Sequence, residues 1–152
     1  MEDKHIIDIL LVEDNPDDVM ITKRALKEAG IVNKLWIVRD GQEAVDFLRR
    51  EGEYVSMKEH MLPGLVLLDI NLPRINGLDV LQIIKEDKDL CCIPVVMLTM
   101  SKREQDVACG YQRGCNSFIQ KPVEFDKFID VVRQIGLYWG VINEPLAGGG
   151  AA

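Results

Sequence analysis

Polar side chains of four kinds stand at the ends of four short apolar runs. Glu13 and Asp14 follow IIDILLV, Asp69 follows LVLL, Thr99 follows PVVML, and Lys121 follows NSFIQ. In an open parallel sheet, the crevice beyond the carboxyl ends of the strands collects residues that are far apart in sequence. Three acids, a hydroxyl and an amine at one rim predict a magnesium-dependent acceptor of a phosphoryl group.

Asp69 is the predicted nucleophile, because a carboxylate can accept a phosphoryl group as an acyl phosphate while a metal neutralises the charge. A strand-end aspartate that stood alone would more often cap the next turn. Capping does not explain Glu13 and Asp14, because both precede Asn15, the predicted cap of the first helix. It fully explains Asp17 and Asp18, which complement the positive end of that helix. We therefore assign the latter pair to the helix and the former to the site.

The acids of this cluster require a cation. If Asp14 and Asp69 approach within ~5 Å, their repulsion is roughly 3 kcal/mol at an effective dielectric constant near 20. Magnesium suits such a cluster, because it prefers oxygen ligands and keeps waters for an incoming phosphate. The backbone carbonyl of Asn71, in the loop after Asp69, can supply one more oxygen.

Thr99 and Lys121 complete the predicted site. The hydroxyl can donate to a phosphoryl oxygen, and the amine supplies a cation with a long reach. Each alone would more often be structural, but their joint occurrence with the acids favours the site. A cis bond before Pro122 would direct the amine inward. Phe118, three residues before Lys121, fits the core and the site about equally well.

Alternating strand-like and helix-like segments must position these residues. Apolar runs predict strands near 6–12, 35–39, 65–69, 94–99 and 116–120. Segments of helical period predict helices near 16–29, 41–50, 77–87, 103–113 and 124–140. Repeated βα units indicate a parallel sheet with helices on both faces.

Three segments depart from this regular pattern. The fourth helix has few apolar anchors and contains Gly110, so we expect it to pack weakly. Residues 51–63 form a longer connection than most between a helix and a strand. Residues 144–152 are expected to be a flexible tail.

Composition narrows the function classes. The 152 residues fit one domain, and the formal charge of −7 is concentrated in residues 1–18, which carry seven acids and one lysine. Such a chain is a poor ligand for nucleic acid, so we expect a protein partner. No apolar stretch approaches the ~20 residues that span a bilayer, and no leader is recognisable, which predicts a cytoplasmic protein. The four cysteines lack metal-site spacing and are expected to be reduced, mostly packed thiols.

Over about residues 5–140 the chain resembles the receiver domains of two-component response regulators. The resemblance rests on ILLVEDN, LLDINLPRINGLDVL, VVMLTMS and FIQKPV, which occur in order and at fitting spacing. It implies a flavodoxin-like, doubly wound sheet of five parallel strands in the order 2-1-3-4-5 with five helices. It also implies that residues 1–143 form one receiver domain.

The resemblance assigns a role to each site residue. It implies that Asp69 is the phosphoacceptor, that Thr99 and Lys121 are the signalling pair, and that Phe118 is the aromatic switch. Asn71 and Ser101 occupy positions that tune self-dephosphorylation in the family. The implied Mg²⁺ ligands are Glu13, Asp14, Asp69 and the backbone carbonyl of Asn71.

The resemblance also implies partners. A sensor histidine kinase or a phosphotransfer protein would donate the phosphoryl group, and a downstream protein would read it. The NPDD start, the DINLPR loop and the 51–63 connection are similar to stand-alone regulators that serve phytochrome-type and hybrid kinases. The fourth helix, fifth strand and fifth helix would form the output face and a candidate homodimer interface. The chain would catalyse only its own phosphotransfer and dephosphorylation.

Two alternatives, a phosphohydrolase and an adaptor, are kept beside this interpretation, and the acids after the first strand argue against a third, a flavodoxin. A haloacid-dehalogenase-type phosphohydrolase needs a second acid two residues after the nucleophile, where this chain has Asn71. A flavodoxin needs a hydroxyl-rich phosphate loop after the first strand, where this chain has EDNPDD. A receiver-like adaptor that works without phosphorylation would not require the complete set of site residues.

Overall fold

The computed structural model describes residues 7–31, 33–56, 62–111 and 117–135, without the side chains of 108–111. Five strands alternate with five α-helices. The strands are β1 (Ile9–Val12), β2 (Leu35–Val38), β3 (Leu65–Asp69), β4 (Val95–Thr99) and β5 (Ser117–Gln120). The helices are α1 (Pro16–Glu28), α2 (Gly41–Arg49), α3 (Gly77–Glu86), α4 (Lys102–Tyr111) and α5 (Phe125–Gln134).

The strands form one parallel sheet in the order β2-β1-β3-β4-β5, which confirms the expected fold. Strand order reverses beside β1, the point at which doubly wound sheets open a crevice. The register pairs Val12 with Leu68, and Asp69 with Leu98. The carboxyl ends of β1, β3 and β4 therefore lie at one rim.

Both faces of the sheet are buried, as the continuous apolar runs of β1, β3 and β4 require. Alternate side chains of each strand point to opposite faces. One face packs on α2 and α3 through residues such as Phe47, Leu81 and Ile84. The other packs on α1 and α5 through Leu26 and Phe128.

Local signals fix where the helices begin. The Asn15 side chain accepts from the backbone N–H groups of Asp17 at 2.8 Å and Asp18 at 3.2 Å, which confirms the predicted cap of α1. Asp40 and Asn76 cap α2 and α3 in the same way. The cap of each helix thereby fixes the loop between a strand end and the helix that follows.

Some predicted boundaries differ from the structure. β1 begins at Ile9 rather than at residue 6, which lies outside the described residues. The connection after α2 contains a short 3₁₀ helix, Gly52–Tyr54, that its sequence did not predict. The Tyr54 hydroxyl donates to Glu43 at 2.7 Å, and its ring packs on Phe47 at 5.1 Å. These contacts order a segment whose own sequence resembles a loop. The predicted ends of α4 and α5, at 112–113 and 136–140, and the 144–152 tail lie outside the described residues.

Packing differs sharply between the last two helices. α5 buries Phe128, Val131 and Val132. No residue of α4 between 102 and 107 is buried, and Val107 is 57% exposed. This agrees with the expectation that α4 packs weakly.

The cysteine prediction was half right. Cys91 and Cys92 are free thiols, but both are exposed rather than packed. They lie in the turn after α3, where their neighbours Leu90 and Ile93 occupy the core instead. The side chains of Cys109 and Cys115 lie outside the described part of the chain. No helix among the described residues has the length and apolar character needed to cross a membrane.

Candidate functional site

Backbone contacts fix the positions of Glu13 and Asp69 at the rim of the sheet. The Glu13 N–H donates to the carbonyl of Val38 at 3.0 Å, which extends the β1 pairing by one residue. α3 begins directly against the end of β3, where the Gly77 N–H donates to the carbonyl of Ile70 at 2.8 Å. A Cβ at Gly77 would overlap the Asp69 carbonyl oxygen, so only glycine permits this close approach.

The Lys121 ammonium lies at the centre of the acids. Its Nζ is 2.9 Å from Glu13 Oε1, 3.0 Å from Asp69 Oδ2 and 3.2 Å from Asp18 Oδ2. The lysine side chain is only 8% exposed. The bond between Lys121 and Pro122 is cis. Acids from two strand ends and from the first turn of α1 therefore share one ammonium.

Burial and charge shift the pKa values of this cluster. Burial of the Glu13 carboxyl, together with the nearby charge of Asp69, raises its pKa to about 7 against the opposing pull of Lys121. Burial alone would lower the pKa of Lys121. The hydrogen bond with Glu13 and the charge of Asp69 outweigh this effect and raise the pKa above its ordinary value. The ammonium is therefore fixed in its charged form.

Glu13, Asp14 and Asp69 each place one carboxylate oxygen within 4.8 Å of the others. Asp14 is exposed to solvent, whereas Glu13 and Asp69 are buried. An oxygen-only donor set with one open side suits a hard divalent cation. Four carboxylates lie at or next to Lys121, those of Glu13, Asp14, Asp18 and Asp69. One ammonium does not neutralise four carboxylates, so the charge balance also fits a bound cation.

The remaining predicted residues surround the Asp69 rim. Thr99 is fully buried, and its hydroxyl oxygen accepts from Gln105 Nε2 at 3.5 Å. The Ser101 hydroxyl oxygen accepts from the Glu104 N–H at 3.2 Å, the geometry of a cap for α4. Phe118 is half-buried against the core on the α2 and α3 face.

Sequence reasoning missed two residues. Asp18 was assigned to the end of α1 alone, which is wrong, because its carboxylate also pairs with Lys121 at 3.2 Å. Glu104 was not singled out, yet it contacts Asn71 and the backbone of Met100. The pattern of a serine followed three residues later by a glutamate, which marks a helix start, was the available signal for Glu104.

With this geometry established, the family can be identified. The family described as the response regulator receiver domain matches residues 9–133. The chain belongs to that family. Receiver domains bind a divalent metal, accept phosphate from histidine kinases and act as phosphorylation-dependent switches in two-component signalling. They are generally signalling proteins rather than enzymes. The family match favours this assignment over the phosphohydrolase and adaptor alternatives.

Individual relatives agree with the assignment. The chain is 40% identical over 131 residues to response regulator Rcp1 of Synechocystis sp., covering 86% of this chain and 87% of Rcp1. The structure of the bacteriophytochrome response regulator RtBRR superposes with a TM-score of 0.84 at 43% identity, covering 95% of this chain and 86% of that one. The phosphorylated cyanobacterial phytochrome response regulator RcpA gives a TM-score of 0.70 at 38% identity, covering 88% and 94%. A solved Mn²⁺-bound form of Rcp1 gives a TM-score of 0.69 at 39% identity, with the same coverage.

Proposed function

We propose that Asp69 is the phosphoryl acceptor of this receiver domain and that Lys121 and Thr99 respond to its phosphorylation. The observation that carries the proposal is the 3.0 Å contact between Lys121 Nζ and Asp69 Oδ2 in a buried cluster. The other Asp69 oxygen has only a long contact of 3.4 Å, from the Asn71 N–H.

The proposed metal is Mg²⁺, held by Glu13, Asp14, Asp69 and the backbone carbonyl of Asn71. The three carboxylates within 4.8 Å and the surplus of acid over base support this set. The solved Mn²⁺-bound form of Rcp1 supports binding of a divalent ion, because it shows that a relative binds one. When bound, the ion neutralises charge on the phosphoryl oxygens. The chain itself keeps the carboxylates converged and holds the amine beside them.

The chain's own residues would then respond to the new charge. Lys121 pairs with a phosphoryl oxygen at the cost of its contact with Asp69. Thr99 can donate to another phosphoryl oxygen, because its hydroxyl oxygen accepts from Gln105 and leaves the hydroxyl proton available. Phe118, on the adjacent strand, follows the movement of Thr99. Phosphorylation thereby biases one of two arrangements of the output surface.

The proposal also covers the lifetime of the phosphoryl group and the partners of the chain. Asn71 and Ser101 would tune self-dephosphorylation. The donor would be a sensor histidine kinase, of phytochrome type or hybrid, or a phosphotransfer protein. The similarity to RtBRR supports the phytochrome type. A surface made by α4, β5 and α5 would contact the downstream protein or a second copy, in the cytoplasm and without nucleic acid. One receiver domain would occupy residues 1–143.

Incubation with Mg²⁺ and acetyl phosphate tests the acceptor. Intact-mass measurement should show one added phosphoryl group on the wild-type protein and on Asp106→Ala, an exposed control on α4. Asp69→Ala should show none, and EDTA should abolish the adduct. An adduct that persists in Asp69→Ala would show that another residue is the acceptor.

A further inference from the structure

β2 forms one edge of the sheet, and its outer side has no partner strand within the described part of the chain. The carbonyls of Lys34 and Val38 accept from β1, so every second residue of this stretch directs its backbone groups toward β1. Leu35 and Ile37 lie between those residues and direct their N–H and C=O groups outward. An edge of this kind can pair with a further strand.

A groove lies beside this edge, between α1 and β2. Its volume is about 570 Å³, and its lining includes the buried side chains of Val19 and Leu26 and the half-buried side chain of Leu35. Leu35 and Ile37 both pack on the core that α1 covers, so their side chains point to the same side of the sheet as the groove. A strand added beyond β2 would therefore direct every second side chain toward the groove.

The exposed side of the groove is basic. Lys23 and Lys27 line it, both are exposed, and neither forms an ion pair with another described residue. Lys34 and Arg39, which are also exposed, flank β2. Of the described residues that line the groove, none is acidic. Because the whole chain has a formal charge of −7, this local excess of positive charge suits an acidic ligand.

We propose that the outer edge of β2 and the groove beside α1 bind an extended acidic segment of a partner protein, which adds a strand to the sheet. The outward backbone groups of Leu35 and Ile37 form the main-chain hydrogen bonds, and the groove receives alternate apolar side chains of the segment. Acidic side chains of the segment pair with Lys23 and Lys27. None of these residues belongs to the Asp69 site, so the proposal does not depend on phosphorylation.

The competing explanation is that the basic residues only protect the edge. Lysines on an edge strand discourage pairing with another chain, and Lys27 also complements the carbonyl end of α1. Protection of this kind involves no ligand and no preference for acids. Peptides of opposite charge therefore separate the two explanations.

The probe is a peptide of about eight residues in which glutamate and valine alternate. Fluorescence polarisation should show that it binds, and that a peptide with lysine in place of glutamate binds at least about tenfold more weakly. Amide hydrogen exchange locates the peptide. At a peptide concentration about ten times the Kd, the amides of Leu35 and Ile37 should exchange about tenfold more slowly. The amides of Trp36 and Val38, which face β1, should change little.

Substitutions test the charge and the strand edge separately. Lys23→Glu combined with Lys27→Glu should raise the Kd at least about tenfold, because two attractions become repulsions. Lys88→Glu combined with Lys102→Glu changes the net charge equally at exposed positions outside the groove and is the matched control. Ile37→Pro removes an outward N–H that β1 does not use, and it should raise the Kd at least about fivefold.

Absence of binding by the acidic peptide, or equal binding of the acidic and basic peptides, would overturn the proposal. An equal Kd for the groove variant and its control would do the same. Binding without slower exchange at Leu35 and Ile37 would place the peptide elsewhere and contradict a strand at this edge. If both amides exchanged as slowly as Trp36 in the free protein, the chain itself or a second copy would already cover the edge, and the proposal would be wrong. The peptide and lysine measurements decide the matter even if Ile37→Pro does not fold.

Discussion

Asp69 lies between two groups of polar contacts that differ in depth. On the inner side, Lys121 pairs with buried Glu13 and with Asp69 at 2.9 and 3.0 Å. On the outer side, Asn71 and Glu104 form hydrogen bonds at the surface. Separating buried charges is costly, whereas exposed hydrogen bonds are exchanged for water at little cost. The difference indicates that a change at Asp69 leaves the buried Lys121–Glu13 pair in place and exchanges the outer contacts more readily.

The helices α4 and α5 show the same contrast between exposed and buried contacts. α5 follows Lys121 and buries Phe128 and Val132 completely. α4 follows Thr99 and buries none of its residues between 102 and 107. A helix that buries apolar side chains, as α5 does, resists displacement. A helix segment anchored by polar contacts near the surface shifts at low cost. We therefore expect residues 102–107 of α4 to move more readily than α5.

Replacing Lys121 with methionine should have the largest effect. The change leaves Glu13 and Asp69 buried beside each other without a cation, which typically costs about 3–5 kcal/mol in the free energy of unfolding. The loss should be smaller at pH 5 than at pH 8, because Glu13 can then take a proton. Denaturant unfolding in EDTA measures both values.

Lys127→Met is the matched control. Lys127 pairs with Glu124 at 3.7 Å, and both side chains are largely exposed. Surface pairs of this kind contribute less than about 1 kcal/mol. If the two lysine variants lost similar stability, the inner cluster would not be energetically distinct from the surface.

Stability should depend on pH through Glu13. The ordinary pKa of a glutamate side chain is 4.5, and burial raises the pKa of Glu13 to about 7 in the folded protein. Between pH 4.5 and pH 7 the folded protein binds more protons at Glu13 than the unfolded chain does. The contribution of Glu13 to the free energy of unfolding is therefore complete below pH 4.5 and is lost as the pH rises through 7. The loss is at most about 3 kcal/mol.

Comparison with Glu13→Gln isolates this contribution from other carboxylates. In EDTA, the glutamine variant should gain stability relative to the wild type as pH rises from 4.5 to 7. Glu124→Gln, at an exposed position, should follow the wild type. A constant difference between Glu13→Gln and the wild type would mean that Glu13 is ionised throughout this range. Saturating Mg²⁺ should flatten the difference, because a bound cation favours the carboxylate.

The sequence predicted the fold and most of the rim for a physical reason. The buried runs of β1, β3 and β4 and the caps of the helices are local signals, and parallel pairing then aligns the strand ends. It did not predict the Asp18 contact with Lys121, because a residue that satisfies a helix end locally gives no sign of a partner 103 positions away. The 3₁₀ helix at Gly52–Tyr54 was missed because contacts with α2 hold it.

Asp14→Asn should raise the free energy of unfolding slightly, whereas Lys121→Met should lower it strongly. The residue is exposed, so its repulsion with Asp69 is near the solvent limit of about 1 kcal/mol rather than the roughly 3 kcal/mol expected for a buried pair. In EDTA we expect a gain of that size in the free energy of unfolding, seen as a higher melting temperature. With Mg²⁺ the sign should reverse, because the variant loses a ligand. An unchanged or lower melting temperature in EDTA would count against repulsion within the cluster.

Asn71→Ala should change stability least, although it lies next to the acceptor. Its side-chain contact with Glu104 is exposed, so water replaces it and the loss should be about 0.5 kcal/mol. Chemical denaturation of the unphosphorylated protein measures this value, and Gln82→Ala, which removes a comparable exposed contact with Glu86 at 2.9 Å, is the control. A loss comparable to that of Lys121→Met would place Asn71 among the groups that hold the fold. A small loss would instead show that the outer contacts contribute little to the stability of the fold.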